Sequence, residues 1–340
     1  MTKKYAFWNN KGGTGKTSLA FQAITLYAEQ HPDQSILAID VCPQANLSEL
    51  MLGGLNGKGS EKLLAQQGKV PRCSIGGYFQ LRLPSPYTVP IFTPGDFLTK
   101  PHDYNPSVPD NISLVCGDPL LELQSNAVNT LANNQIPGSN PWIEVIDWLQ
   151  DFIEPIEHEY DVIFFDCNPS FSLYTQIALA ACNLIVLPVM ADDSSRRAIQ
   201  NAFSLVYGLK LPSDIYLAFA FATKLKNAGR ELPKVHLIIK NRLTQYMGAA
   251  SAYAAVLTAI ERDVKDLLKT HPDIFNFPNI KDGFVDMRDF GTTGVVAFAK
   301  GQPMSQVKIG KQTVNGHRVQ VKKEYLINSN DALNNMVSKL

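Results

Sequence analysis

The sequence predicts an α/β fold: a mostly parallel, twisted sheet with helices on both faces. Three observations predict it. Strand-like apolar runs alternate with helix-like runs along most of the chain, the pattern of units whose parallel strands are covered on both sides. Several of those runs are unbroken Val, Ile, Leu and Phe, as strands buried on both faces require. The first run leads through a glycine-rich loop, Asn10-Lys11-Gly12-Gly13-Thr14-Gly15-Lys16-Thr17-Ser18, directly into a helical pattern.

Strands are expected at Tyr5–Trp8, Ser35–Ile39, Ile112–Cys116, Val162–Phe165, Leu184–Val189, Ile215–Phe221 and Val235–Ile239. Helices are expected at Thr17–Gln30, Asp118–Leu131, Pro141–Glu157, Ser172–Ala181, Ser195–Tyr207 and Ser251–Lys269. All belong to one domain, residues 1–340. Residues 55–111 interrupt the pattern: Gly54, Gly57 and Gly59 introduce them, and Pro84, Pro86, Pro90, Pro94, Pro101, Pro106 and Pro109 punctuate them. Proline at that density excludes long helices and central strands, so an insertion of loops and short elements is expected. It is either functional and partner-facing or decorative. In residues 306–340, Asn315-Gly316 separates two partly alternating runs, a β-hairpin signal because both turn positions favour positive φ. A short helix from Asp331 to Leu340 is expected to follow.

Composition narrows the function. Lys plus Arg and Asp plus Glu both number 31, giving zero net charge, which argues against a protein that coats nucleic acid but not against a local basic patch. Apolar residues make up 45%, enough for a sizeable core. The cysteines, Cys42, Cys73, Cys116, Cys167 and Cys182, are scattered with no C-x-x-C pair, so reduced thiols in a cytoplasmic protein are expected. Met-Thr-Lys-Lys running straight into the first strand is expected to leave no room for a signal peptide.

The glycine-rich loop has the layout of a phosphate-binding P-loop: strand, loop, Lys-Thr, helix. Gly12, Gly13 and Gly15 let the backbone curl so that several N–H groups face one phosphate chain. The helix opening at Lys16 adds unpaired N–H groups and the positive end of its dipole. Thr14 and Ser18 complete the binding loop, Lys16 reaches the β- and γ-phosphates, and the Thr17 hydroxyl ligates Mg²⁺. Such a site needs a carboxylate at the end of a neighbouring strand. Asp166, closing Val162-Ile163-Phe164-Phe165, supplies one.

These segments resemble the deviant Walker A ATPases of the ParA/MinD family, ParA-type members above all. Asn10 stands where the ordinary motif has its first glycine, and the additional Lys11 follows it. Asp166-Cys167-Asn168-Pro169-Ser170 is similar to the family's Asp-Cys-Pro-Pro-Ser, with Asn168 replacing the first proline. Asp40-Val41-Cys42-Pro43-Gln44-Ala45-Asn46 is similar to the switch pattern Asp-x-Asp-Pro-Gln-x-Asn, except that Cys42 replaces the second aspartate. The resemblance implies a P-loop NTPase that binds ATP or ADP with Mg²⁺, the metal lying with Thr17, Asp40 and Asp166. Lys11 is implied to cross a dimer interface to the partner's nucleotide. The position of Cys42 is implied to orient or activate the attacking water. A neutral thiol is a poor substitute for a carboxylate there, so slow hydrolysis is expected, or help from a partner, Asp192 or Asp193. Asn241, ending a late strand, is either the residue that reads adenine or a helix cap, and Ile280 to Ala299 is similar to the family's segment over the base.

Basic residues fall in two zones, Arg196 to Arg242 and Lys300 to Lys323, the second without an acid. Either they form a solvated surface or they bind DNA, as the resemblance implies for ParA-type dimers. Lys308, Lys311, Arg318, Lys322 and Lys323 around the hairpin are the candidates for non-specific phosphate contacts, which would associate the protein with the nucleoid. The terminal stripe Leu333, Met336, Val337 and Leu340 carries few cations and no large aromatic residue, so no membrane anchoring is expected.

Three function classes stay open. The first is an ATP-dependent homodimer that binds DNA and positions cargo, stimulated by a ParB-like or adaptor protein. The second is a metabolic or redox enzyme on the same P-loop, with Cys116 and Cys167 holding an iron–sulfur cluster. The third is an ATP-binding scaffold without turnover, or a MinD-type positioning protein without DNA binding.

Overall fold

The computed structural model describes residues 2–243 and 252–340. The strands are β1 (Lys3–Phe7), β2 (Ile36–Val41), β3 (Leu98–Thr99), β4 (Ile112–Val115), β5 (Val162–Cys167), β6 (Leu184–Met190), β7 (Lys234–Leu243), β8 (Phe284–Arg288), β9 (Gly310–Val314) and β10 (His317–Val321). The helices of the first half are α1 (Lys16–Gln30), α2 (Asn46–Met51), α3 (Gly59–Gln67), α4 (Ile75–Arg82), α5 (Leu120–Ala132), α6 (Pro141–Ile146) and α7 (Trp148–Ile153). Those of the second half are α8 (Leu173–Ala181), α9 (Asp193–Tyr207), α10 (Phe221–Asn227), α11 (Ala252–Thr270), α12 (Ile280–Gly283), α13 (Gly291–Ala299) and α14 (Lys323–Val337).

Among the described residues one eight-stranded sheet runs in the order β3-β4-β2-β5-β1-β6-β7-β8. Every neighbouring pair is parallel except β3 with β4. β2 and β5 are buried along their whole length, which is why their sequences read as continuous apolar runs. A core cluster lies on each face. One gathers Trp8, Trp148 and Phe152 under α4 to α9, and the other gathers Phe7, Phe21 and Phe164 under α1, α2, α13 and α14. In this P-loop α/β architecture the carboxyl ends of β1, β2, β5, β6 and β7 open onto one crevice, where such sheets bind ligands.

Four expectations need correction. Ile215–Phe221 is not a strand: Asp214–Phe219 is a 3₁₀ turn and α10 follows. Ile215, Tyr216, Leu217 and Phe219 are all exposed, so their β-prone side chains have no sheet to pack on. Pro141–Glu157 is two helices rather than one, divided at Asp147, whose carboxylate takes an ion pair from Arg230, and Pro155 prevents any continuation to Glu157. β8 was not foreseen; it is a short edge strand beside β7. The terminal helix begins at Lys323, not Asp331, because Leu326, Ser329, Leu333, Met336 and Val337 give it a buried stripe at helical spacing. Ser251, the expected start of α11, lies outside the described residues.

The insertion carries α3 and α4, with Pro71 between them, ahead of the proline run that begins at Pro84, and short turns among those prolines. Its entrance fits tightly against α13: a Cβ on Gly54 would strike the Phe298 carbonyl, and φ there is +58°. Asn56 bonds the hairpin at the Thr313 carbonyl (3.3 Å). The hairpin β9–β10 turns at Asn315-Gly316 as expected.

Candidate functional site

β1 delivers the glycine-rich loop to the centre of the crevice. Asn9 fixes its start: its Nδ2 donates to the Pro188 carbonyl of β6 (2.8 Å), and its Oδ1 accepts from the Lys11 N–H (3.1 Å). Gly13 and Gly15 take φ of +73° and +82°, the left-handed region that favours glycine. Lys16 is the first residue of α1, and its Nζ donates to the Lys11 carbonyl (2.9 Å), bridging the loop from inside. Burial lowers the Lys16 pKa, opposed by the nearby Asp166. Thr17 and Ser18 are half-buried beside it, Gly12 and Gly13 are exposed, and the buried Thr14 hydroxyl has no hydrogen-bond partner among the described residues.

Two carboxylates stand side by side at the ends of β2 and β5, Asp40 in register with Asp166. Both are fully buried. Asp40 is saturated by its own subunit: Oδ1 accepts from Cys42 N (3.1 Å), and Oδ2 accepts from Ser48 N (2.9 Å) and Ser48 Oγ (2.7 Å). Ser48 Oγ accepts in turn from Gly117 N (2.8 Å). Among the described residues neither oxygen of Asp166 makes a hydrogen bond of ordinary geometry, although Thr17 and Lys16 are near enough to favour its ionised form. Burial first, and the Asp40 charge second, push the Asp166 carboxyl well above its usual range. Cys42 lies beside them, and burial followed by the two aspartates pushes its thiol up to about 12.

Lys11 does not point into open solvent. Its Nζ lies 2.6 Å from both Asp192 oxygens and 3.1 Å from Ser195 Oγ. Asp192 is therefore engaged and does not stand free in place of a switch carboxylate; the side chain of Asp193 lies outside the described residues. Asn168 donates to the Tyr174 hydroxyl (2.7 Å). Asn241, at the end of β7, donates to the Thr14 carbonyl (2.8 Å), bracing the loop rather than capping a helix. It also lines a cleft of about 270 Å³ with Gly15, Ser18, Phe290, Val295 and Phe298. Arg242 and Asp289 line it too, so polar and apolar groups share its walls beside the glycine-rich loop. Sequence reasoning missed Asn9 and Ser48, which have no motif signal, and placed the cleft-lining residues of α13 only as a segment.

The chain's relatives share this frame. A family profile described as an AAA domain matches residues 108–214, the stretch holding β5 and β6. The cell division protein PomZ of Myxococcus xanthus is 27% identical over 210 residues, 61% of this chain and 52% of PomZ. The match therefore spans about half the length of that protein. Apo McdA of Cyanothece superposes with a TM-score of 0.59 at 14% identity, covering 90% of this chain and 93% of McdA. A plasmid partition protein of Borrelia burgdorferi gives a TM-score of 0.55 at 15% identity over the whole of both chains. The chain is similar in sequence to PomZ and in fold to McdA and the plasmid partition protein.

Other features of the chain bear on its function classes. All its cysteines are buried, with Cys116 and Cys167 closed inside the sheet, which does not fit a cluster shared between two subunits' surfaces. Among the described residues no helix is long and apolar enough to cross a membrane. On the hairpin, Val314, Val319 and Val321 pack against the core. Lys311 and Arg318 lie on the opposite, solvent-facing side, and Lys308, Lys322 and Lys323 are exposed as well.

Proposed function

We propose that this chain is a nucleotide-driven positioning switch: ATP with Mg²⁺ joins two copies, the pair binds DNA without sequence preference, and hydrolysis releases it. The observation that carries the reading is the buried carboxylate of Asp166, which has no well-formed hydrogen bond among the described residues and lies beside Lys16 and Thr17. A buried charge needs a partner, and a hydrated Mg²⁺ fits this donor set. Thr17 would hold the ion directly and Asp166 its water shell, while Asp40, its oxygens taken by Cys42 and Ser48, would position the switch segment beside it. The bound metal supplies charge neutralisation along the triphosphate. The loop amides and Lys16 bind and orient the phosphates, Asn241 and the α13 cleft take the base, and Lys11 serves the partner's nucleotide. McdA, a fold neighbour, has also been solved as a variant in complex with ATP.

Hydrolysis is slow in this reading. Cys42 stays a neutral thiol and the oxygens of Asp40 are taken by Ser48 and Cys42, so neither is ready to accept a proton from water. Acceleration comes from a ParB-like or cargo-adaptor partner. The hairpin cations provide the DNA surface, and a DNA-bound dimer is nucleoid-associated in the cytoplasm. A scaffold that binds ATP without turnover is the second reading, favoured by Cys42.

The test is molecular size with and without ATP and Mg²⁺, followed by DNA addition. A doubled mass that needs both ligands and is lost in Lys16→Ala supports the switch. A mass that ignores nucleotide, or uptake of ATP that survives Lys16→Ala, rejects it. Phosphate release raised by DNA or a partner separates the switch from the scaffold.

A further inference from the structure

We propose that Asp192 is a latch for Lys11, holding its ammonium against its own subunit until nucleotide-driven pairing pulls it away. The latch rests on the dimer reading above for its consequence, but its geometry stands alone. The Lys11 backbone is pinned, its N–H held by Asn9 and its carbonyl by Lys16, so only the flexible side chain can swing. That side chain is closed onto Asp192 and Ser195.

Asp192 is held independently of Lys11. It is the N-cap of α9: Oδ1 accepts from Ser195 N (2.7 Å) and Ser194 Oγ (2.7 Å). Against the upward push of burial, these bonds and Lys11 hold the Asp192 carboxyl down at about 2. The receptor for the lysine is thus built before the lysine arrives and survives its departure. The lysine cannot neutralise Asp192 and a partner's phosphates at once, so the intrachain pair competes with the interchain one. The pair is partly exposed, with side chains 23% and 36% accessible, which makes it weak enough to be exchanged.

Asp192→Asn separates the charge from the cap, because asparagine caps a helix as well as aspartate does. Two measurements follow on the full chain. The first is the acylation rate of Lys11 by an amine-reactive ester in nucleotide-free protein, read by mass spectrometry. The second is the ATP concentration at half-dimerisation. Faster Lys11 labelling and half-dimerisation at ~3- to 10-fold lower ATP are expected, and Asp192→Ser, another capping residue, is expected to repeat both. Unchanged Lys11 labelling overturns the latch. Faster labelling with unchanged or weaker dimerisation also overturns it, reducing the contact to a structural ion pair. Should the unaltered chain never dimerise, the switch reading fails, while the labelling arm alone reports whether the contact exists.

Discussion

Asp40 and Asp166 sit opposite each other in the β2–β5 register, yet their carboxylates are served unequally: among the described residues Asp40 accepts three hydrogen bonds and Asp166 has no well-formed one. Asp40 ties the switch segment and α2 to the sheet, leaving Asp166 to face the phosphate loop. The same buried pair is a liability without a counter-ion, and that has measurable consequences.

Burial and mutual repulsion raise the Asp166 carboxyl in the folded state. A raised folded value favours the fold at low pH, and that contribution is lost as pH climbs above the ordinary carboxylate range. Nucleotide-free protein should therefore melt at lower temperature as pH rises from about 5 to 8. Asp166→Asn should flatten the trend and stabilise the protein at pH 8 by about 1–3 kcal/mol, while abolishing any Mg²⁺ dependence of nucleotide binding. Thermal melts across pH decide it; a variant less stable than the parent at pH 8 contradicts the account.

Cys42→Asp should raise phosphate release by about 100-fold, the lower end of the range for a positioned proton acceptor. It should also lower the stability of the nucleotide-free protein, because a third carboxylate joins the buried pair. The two effects of opposite benefit are the signature. Steady-state phosphate assays on both proteins provide the comparison, and an unchanged rate places the limit elsewhere.

What could be read in advance was local. The P-loop, the Asp166 strand and the hairpin turn each carry their physics within a few consecutive residues: glycine at positive φ, a short apolar run ending in a carboxylate, Asn315-Gly316. What could not be read depends on distant partners. Ser48 matters because β2 and Gly117 surround it, and Lys11 meets Asp192 only because β1 and β6 are neighbours. The exposed run Ile215 to Phe219 misled because β-propensity reports packing on a sheet that is absent there. β8 escaped because an edge strand of alternating burial, Phe284-Val285-Asp286-Met287-Arg288, is a weak pattern within a segment read as the base-closing loop.

Gly15→Ala should disable the loop without touching a charge. The position has φ +82°, and an added Cβ would run into Nδ2 of Asn241. Alanine there combines backbone strain with a collision, for a cost of about 1–3 kcal/mol. It should also break the Asn241–Thr14 brace. Nucleotide affinity, read by calorimetry, should fall at least tenfold, whereas Gly12→Ala, where a Cβ meets nothing within 4 Å, should fall less. Equal losses at the two positions would falsify the brace.

The hairpin makes a prediction in salt dependence. Lys308, Lys311 and Arg318 are exposed, and Lys311 and Arg318 lie on the side of the hairpin away from its valines. If they neutralise DNA phosphates, each contact adds roughly 0.9 to the slope of log affinity against log salt concentration. Replacing all three with Gln should reduce that slope by about 2 to 3, and weaken binding by the same factor for unrelated duplex sequences. Anisotropy titrations with ATP and Mg²⁺ over a range of salt concentrations measure both quantities. The valine side of the hairpin is untouched by these changes, so the fold and nucleotide affinity should be preserved. A slope that stays the same moves the DNA surface to the other basic zone, between Arg196 and Arg242.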